Sequence, residues 1–348
     1  MRFVFSEVQV NHKPSTFLVR GQPKPCPEVP ERAETLLHAL TARGCMVESP
    51  PDYGPGPRAA VHSADYLRFL ETAYARWSEL PDASDAVIPN VHRNTDMAEY
   101  PAGIVGQAGW HMADTACPIG FGTWEAACAS ADTAVHGAHL VASGQAPAAY
   151  ALCRPPGHHA SRDAAGGFCY LNNAAIAAQA MLPLLAAHGK APRVAILDVD
   201  VHHGNGTQAI FYDRDDVLFV SIHADPAHFY PWFAGYAHER GRGRGQGCTL
   251  NLPLPQGTEE QAFLAAVAEG LAYIRCWGPE ALVVSLGFDT YGGDPLAAFR
   301  VTTPGFATLG HTIAATGWPT LLVQEGGYDG SALGANLASF LDGFRAAR

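Results

Sequence analysis

Short, nearly unbroken apolar runs alternate with longer alanine-rich stretches through the middle and C-terminal parts of the chain. That alternation predicts an α/β protein with a central, mostly parallel sheet covered by helices on both faces. The strand runs are Ala148 to Cys153, Arg193 to Leu197, Val217 to Ile222, Ala281 to Leu286 and Thr320 to Gln324. Their lack of polar alternation is what burial on both faces requires. Helices are predicted over Glu125 to Ser143, Ala174 to Ala187, Glu259 to Cys276 and Thr303 to Thr316. Ser78 to Gly122 breaks the pattern, because Pro81, Pro89, Pro101, Pro118 and many glycines interrupt any period. Its aromatic and aliphatic residues argue against disorder. It reads as an ordered loop, at about 78–122, inserted into a single domain spanning 1–348, and such loops close over sites or meet a second subunit.

With 348 residues, 48% of them hydrophobic, the chain can bury a sizeable core. A net charge of −11 argues against a nucleic-acid surface, which needs clustered Lys and Arg. The arginine-rich HERGRGRGQG, His238 to Gly247, lies between two strand-like runs and reads as a solvated loop. The apolar runs fall short of a membrane span, and MRFVFSEVQV lacks the features of a signal peptide. The 8 cysteines include no C-x-x-C pair and read as free thiols of a reducing compartment. A soluble, cytoplasmic protein with no nucleic-acid or membrane partner is expected.

Ligands of open parallel sheets bind beyond the carboxyl ends of the strands, so the residues after each run carry the chemistry. His158 and His159 follow the first run, and Asp198, Asp200, His202 and His203 follow the second. Ser221 and His223 close the third, Gly287-Phe288-Asp289 follows the fourth, and Glu325-Gly326-Gly327-Tyr328 follows the fifth. A single polar residue in such a place is usually a cap or a turn; several converging on one edge suggest a site. Asp200, His202 and Asp289 would hold a divalent ion and leave a position open, which is a catalytic arrangement. Their two carboxylates make the ion a mild Lewis acid. The tandem histidines can move protons near neutral pH, and Tyr328, on a Gly-Gly turn, can donate to a developing oxyanion. Asp198 would orient His158 or hold a second cation, and Asn205 would accept from His159. His203 points elsewhere on an extended chain and reads as structural; His223 has no assigned role.

RPPGHHA, GGFCYLNNAAIA, DVDVHHGNGTQAIF, LGFDTYGGDP and EGGY together resemble the zinc-dependent deacetylase family, which has an arginase-like three-layer fold and includes the histone deacetylases. MRFVFSEVQ, ERAE and GTWEAA are similar to the bacterial branch acting on acetylated polyamines. The resemblance implies Asp200, His202 and Asp289 as zinc ligands, His158 and His159 as the tandem histidines, and Tyr328 as the carbonyl-polarising tyrosine. It further implies Phe168 and Tyr230 as tunnel walls, the Gly167 carbonyl as acceptor for the scissile amide N–H, and Asp198 with Ser221 as ligands of a structural potassium ion. It also implies a homodimer using the inserted loop. Two departures stand out. Asn205 replaces an aspartate found in some branches, and Thr16-Phe17-Leu18 stands where the polyamine branch carries a glutamate near the tunnel mouth. Asp114 or Glu125 could supply the missing acid.

The function expected is metal-dependent hydrolysis of an acylated primary amine, with acetylated polyamines as substrate; the alternatives are acyl-lysine in proteins or a small neutral amide. The ligand set suits zinc and admits iron(II). A binuclear ureohydrolase on the same fold would need aspartates where Gly204 and Tyr291 stand, which favours one metal.

Overall fold

A computed structural model describes residues 1–94, 96 and 98–348. Its centre is an 8-stranded sheet of β1 (Arg2–Val4), β2 (Val47–Glu48), β3 (Ala148–Ala151), β4 (Val194–Asp198), β5 (Val217–Ala224), β6 (Thr249–Leu254), β7 (Ala281–Leu286) and β8 (Thr320–Gln324). The spatial order is β2-β1-β3-β8-β7-β4-β5-β6. Every neighbouring pair is parallel. The helices are α1 (Glu31–Thr41), α2 (Ala64–Ser78), α3 (Ile104–His111), α4 (Thr123–Ala142), α5 (Asn173–Ala187), α6 (Asn205–Phe211), α7 (Glu260–Trp277), α8 (Thr303–Ala314) and α9 (Leu333–Ala346), with a further single turn at Gly56–Ala59.

Successive strand residues face opposite sides of a sheet, and here both sides are greasy. Val194 and Ile196 share one core with Ala149, Val283, Val323 and residues of α2, α4 and α5. Ala195 and Leu197 share the other with Tyr150, Val284, Leu322 and residues of α1, α7, α8 and α9. Helices thus cover both faces in three layers, and the strand sequences show no alternation because neither face meets water. The pattern located β7 and β8 to the residue. It overran β3, whose chain turns at Cys153 as its N–H bonds the Ala151 carbonyl at 3.0 Å. Edge strand β2 and its neighbour β1, of 2 and 3 residues, are too short to show a period.

The segment from 78 to 122 carries α3 and returns to lie along residues 165–168. Ala113 N–H donates to the Ala165 carbonyl at 2.7 Å, and Phe168 N–H to the Ala116 carbonyl at 3.0 Å. Thr95 and Met97 within it lie outside the described residues. Near its turning point an antiparallel hairpin, Thr16–Val19 with Gln22–Pro25, bonds Leu18 N–H to the Thr115 carbonyl at 3.5 Å. Arg20 and Gly21 in its turn have φ of 52° and 74°, as a two-residue hairpin turn requires. Among the described residues no helix is long and apolar enough to cross a membrane.

The close crossing of α8 and α9, which follows the loop bearing Tyr328, depends on glycine. A Cβ on Gly310 would strike the Phe340 carbonyl, and one on Gly343 the Ala307 carbonyl. Gly343→Ala is expected to destabilise the fold by about 1–3 kcal/mol. A lower melting temperature, with kcat unchanged for the folded fraction, checks this; an unaltered melting temperature would contradict the packing.

Candidate active site

Strands β3, β8, β7 and β4 are consecutive in the sheet, so the segments leaving their carboxyl ends meet. They bring together His158 and His159, Glu325 to Tyr328, Asp289, and the run from Asp198 to His202. Ser221 on β5 pairs in register with Asp198.

His202 Nδ1 lies 3.0 Å from Asp200 Oδ1 and 3.2 Å from Asp289 Oδ2. One donor atom from each residue falls within 4.8 Å of the others. Both carboxylates are buried, and backbone N–H groups aim them: Gly326 onto Asp200 at 2.9 Å, Val201 onto Asp289 at 3.0 Å. Burial and the charge of Asp200 push the Asp289 carboxyl up to about 7. His202 is opposed by burial, yet the two carboxylates hold it up at about 9. Among the described residues only histidines pair with these carboxylates. Two buried carboxylate oxygens and an imidazole nitrogen gathered this closely are a donor set that could hold a catalytic divalent ion. A second metal of the ureohydrolase kind does not fit, since a Cβ at Gly204 would already strike the Asp198 carboxylate. His158, Cys169 and Glu325 also cluster within 4.8 Å, but Glu325 is occupied by backbone donors.

The adjacent histidines sit in opposite environments. Burial disfavours charge on His158, but Asp198, whose Oδ2 is 3.0 Å from its Nδ1, and Asp200, 3.8 Å from its Nε2, outweigh this and raise it to about 10. His159 is buried against His158, with ring centroids 4.0 Å apart. Burial, then the charges of His158 and His202, push it well below the usual histidine range. Its Nδ1 donates to Asn205 Oδ1 at 2.7 Å, which leaves Nε2 as a lone-pair acceptor. One dipeptide therefore supplies a cation and a neutral base.

Phe168 stands edge-on to Tyr328 at 5.6 Å, and Tyr230 is perpendicular to His159 at 4.8 Å. Gly167, just before Phe168 in sequence and close to Tyr230 in space, has φ of +50°, and a Cβ there would come within 2.5 Å of His159 Cδ2. The Tyr328 backbone N–H donates to Asp294 Oδ2 at 2.6 Å. Burial holds its phenol well above the usual tyrosine range, so it stays protonated.

The chain is similar to known proteins over nearly its whole length. A family model described as "Histone deacetylase domain" matches residues 26–344. The chain is 52% identical to acetylpolyamine amidohydrolase of Burkholderia pseudomallei over 99% of this chain and 98% of that one. It is 45% identical to acetylpolyamine amidohydrolase 1 of Pseudomonas aeruginosa over 100% and 99%. The crystal structure of acetylpolyamine aminohydrolase from Burkholderia pseudomallei superposes with a TM-score of 0.95 at 51% identity, covering 100% of this chain and 99% of that one.

The chain belongs to the histone deacetylase family. It is accordingly a hydrolytic deacetylase of amides, and metal dependence is general in this family.

Glu125 and Asp114, the two acids expected at the tunnel mouth, stand in different settings. Glu125 is exposed near the start of α4, in a cleft of about 990 Å³ shared with Arg58, Asp132 and Arg162 and with none of the tunnel residues. It serves the helix N-terminus, where a carboxylate is favoured. Asp114 lies beside Tyr230 and Gly167, and its carboxylate accepts from both and from Ala116. His203 and His223 are buried away from the set, bonded to Gln208 and to Ser221 with the Gly235 carbonyl.

The sequence reading missed the groups that hold the loops. Arg32 donates to the carbonyls of Gly327 at 2.6 Å and Glu325 at 2.7 Å, and its guanidinium lies 4.6 Å from the Tyr328 ring. Buried Glu28 fixes Arg32 at 2.8 Å and Arg154 at 2.9 Å. The Glu325 carboxylate accepts from Gly157 N–H at 2.7 Å, His158 N–H at 3.2 Å and the Ser285 hydroxyl at 3.1 Å. Its position directly after a buried strand was the available signal; Glu28 and Arg32 offered only an i,i+4 pairing. Glu325→Ala is expected to cost about 1–3 kcal/mol for each donor left orphaned and to lower kcat. Denaturant unfolding with steady-state kinetics checks both, and unchanged values would deny the bridge.

Proposed function

We propose that the enzyme removes the acetyl group from acetylated polyamines, with zinc at Asp200, His202 and Asp289, iron(II) being the other ion this donor set suits. The observation that carries the chemistry is the convergence of this donor set with a cationic His158, a neutral His159 and a protonated Tyr328. The substrate assignment is supported by the names of the relatives matched over the whole chain. Bound there, the metal would supply Lewis acidity toward the carbonyl and make water acidic enough to attack at neutral pH.

The residues of the chain do the rest. His159, its Nδ1 proton committed to Asn205, takes a proton at Nε2 from the attacking water. Tyr328 donates its hydroxyl proton in a hydrogen bond to the carbonyl oxygen as charge develops there. His159 then returns the proton to the leaving nitrogen, while His158, paired with Asp198, balances the negative charge of the site. Phe168 and Tyr230 line the slot that admits the acyl-amine chain, and the Gly167 carbonyl accepts from its N–H. Asp198 and Ser221, side by side on neighbouring strands, suit a structural potassium ion. The exposed Val91, Tyr100, Val105 and Phe121 of the inserted segment support a homodimer through that segment, and the free cysteines support a cytoplasmic location.

A second reading, preference for a neutral amide or acyl-lysine, draws on the rim: Phe17 packs edge-on against Phe168 at 5.3 Å. Acetate release from acetylputrescine, acetylcadaverine and acetylspermidine, against an acetyl-lysine peptide and acetanilide, separates the two. Higher kcat/KM on the polyamines is expected; the reverse order would transfer the assignment to the second reading.

Tyr328→Phe is expected to lower kcat by roughly 10²–10³ with full metal content. Equal loss of metal and activity would sink its role. Asn205→Asp sets a carboxylate beside His159 and so favours the imidazolium. Because the base must be neutral, the acid limb of kcat/KM is expected to move to higher pH by about one pH unit or more. A limb that stays put in the pH–rate profile would remove His159 from the role of base.

A further inference from the structure

Tyr230 sits on a loop with little packing of its own: Trp232 is 47% exposed and Phe233 92%. Yet its ring is held perpendicular to His159 at 4.8 Å. The one side-chain hydrogen bond of its hydroxyl among the described residues is to Asp114 Oδ2, at 2.6 Å. The same oxygen accepts the Gly167 N–H at 3.1 Å, and Oδ1 accepts the Ala116 N–H at 2.7 Å. Gly167 lies close enough that a Cβ on it would come within 2.8 Å of the Tyr230 hydroxyl. One carboxylate from the inserted segment thus joins both walls of the slot, and its remaining donor keeps it in place.

We propose that Asp114 is a positioning residue of the deacetylase: by tying Tyr230 to Gly167 it sets the width of the slot and holds the Tyr230 ring against His159. The inference rests on the deacylase reading of the site and is independent of the polyamine preference. It predicts that the tie acts on every substrate that enters, because neither bond involves the substrate. It also predicts that its two ends act as one unit, since breaking the bond from either side frees the same ring. A carboxylate that bound a substrate ammonium directly would behave differently on both counts.

The experiment is a double-mutant cycle on the metal-loaded full chain, using Asp114→Asn, Tyr230→Phe and the double variant, assayed on acetylputrescine and its uncharged analogue N-butylacetamide. Each single variant is expected to lose about ten- to a hundredfold in kcat, by similar factors on each amide that the wild type cleaves. KM should change less than kcat, metal content should hold, and the double variant should be no worse than the poorer single. Tyr230→Phe at wild-type kcat, additive losses in the double variant, or a loss on Asp114→Asn confined to the cationic amide would each overturn the proposal. Should Asp114→Asn fail to fold, Tyr230→Phe alone still reads the tie, since it removes a single hydroxyl. A wild type that cleaves neither amide, nor any other acylated amine, would defeat the deacylase reading instead.

Discussion

Asp198, Asp200, Asp289 and Glu325 are all at 0% exposure, at the carboxyl edge of one parallel sheet. Gathering that much negative charge away from water is costly unless each carboxylate is bonded and the group as a whole is compensated. The bonding is reciprocal. The loop after β8 gives Gly326 N–H to Asp200, and the loop after β4 gives Val201 N–H to Asp289. Glu325, in turn, takes the N–H groups of Gly157 and His158. The loops after β3, β4 and β8 therefore each hold a carboxylate borne on another strand's end, and moving any of the three leaves a buried carboxylate short of a donor. Gly326 makes this closeness possible, because any side chain there would enter the space of both Asp200 and Asp289.

The compensation decides the chemistry. His158 lies between Asp198 and Asp200, whose charges favour its imidazolium against burial, and charge there opposes a second one on His159. The neutral partner of His159, Asn205, completes the contrast by orienting the ring without adding charge. A proton acceptor beside a fixed cation follows from the placement of carboxylates and requires no special property of either histidine. Arg32 extends the same logic to Tyr328: it holds the backbone on which the phenol rides, and Glu28 makes a buried guanidinium tolerable there. The acid–base groups are thus consequences of where the charges were put.

Much of this was legible in the sequence, for a physical reason. Strands buried on both faces are written as unbroken apolar runs, and whatever polar residue ends such a run stands at the site edge; Asp198 and Asp289 were picked out by position, whereas Glu325 was noted after its run and given no role. The metal donors gained further from the short spacing of Asp200 and His202. Glu28, Arg32 and Asp294 were not found, because their partners lie hundreds of residues away or on loops of no fixed period. Arg32 bonds Gly327 across 295 positions, and only the folded chain sets them together. Asp114 was noticed for its charge alone, because the donors that surround it, Tyr230, Gly167 and Ala116, are set beside it only by the fold.

These placements point to a division of labour in the molecule. The donors and histidines ride on strand ends clamped by two apolar cores, and little but the sheet register is needed to place them. The slot leading to them is built from other material: a hairpin turning at Arg20 and Gly21, the excursion bearing Asp114, and the loop bearing Tyr230. The hairpin and the Tyr230 loop have small shares in either core, whereas the excursion adds Val87, Ile104, Ala108, Met112, Cys117 and Ile119 to one of them, and the three hold one another through a few bonds, among them Leu18 to Thr115 and Tyr230 to Asp114. Substitutions there can reshape the slot without disturbing the buried charges. Close resemblance in the edge residues therefore argues for the same reaction more strongly than for the same substrate, and the identity of the amine must be sought in the segments least constrained by the sheet.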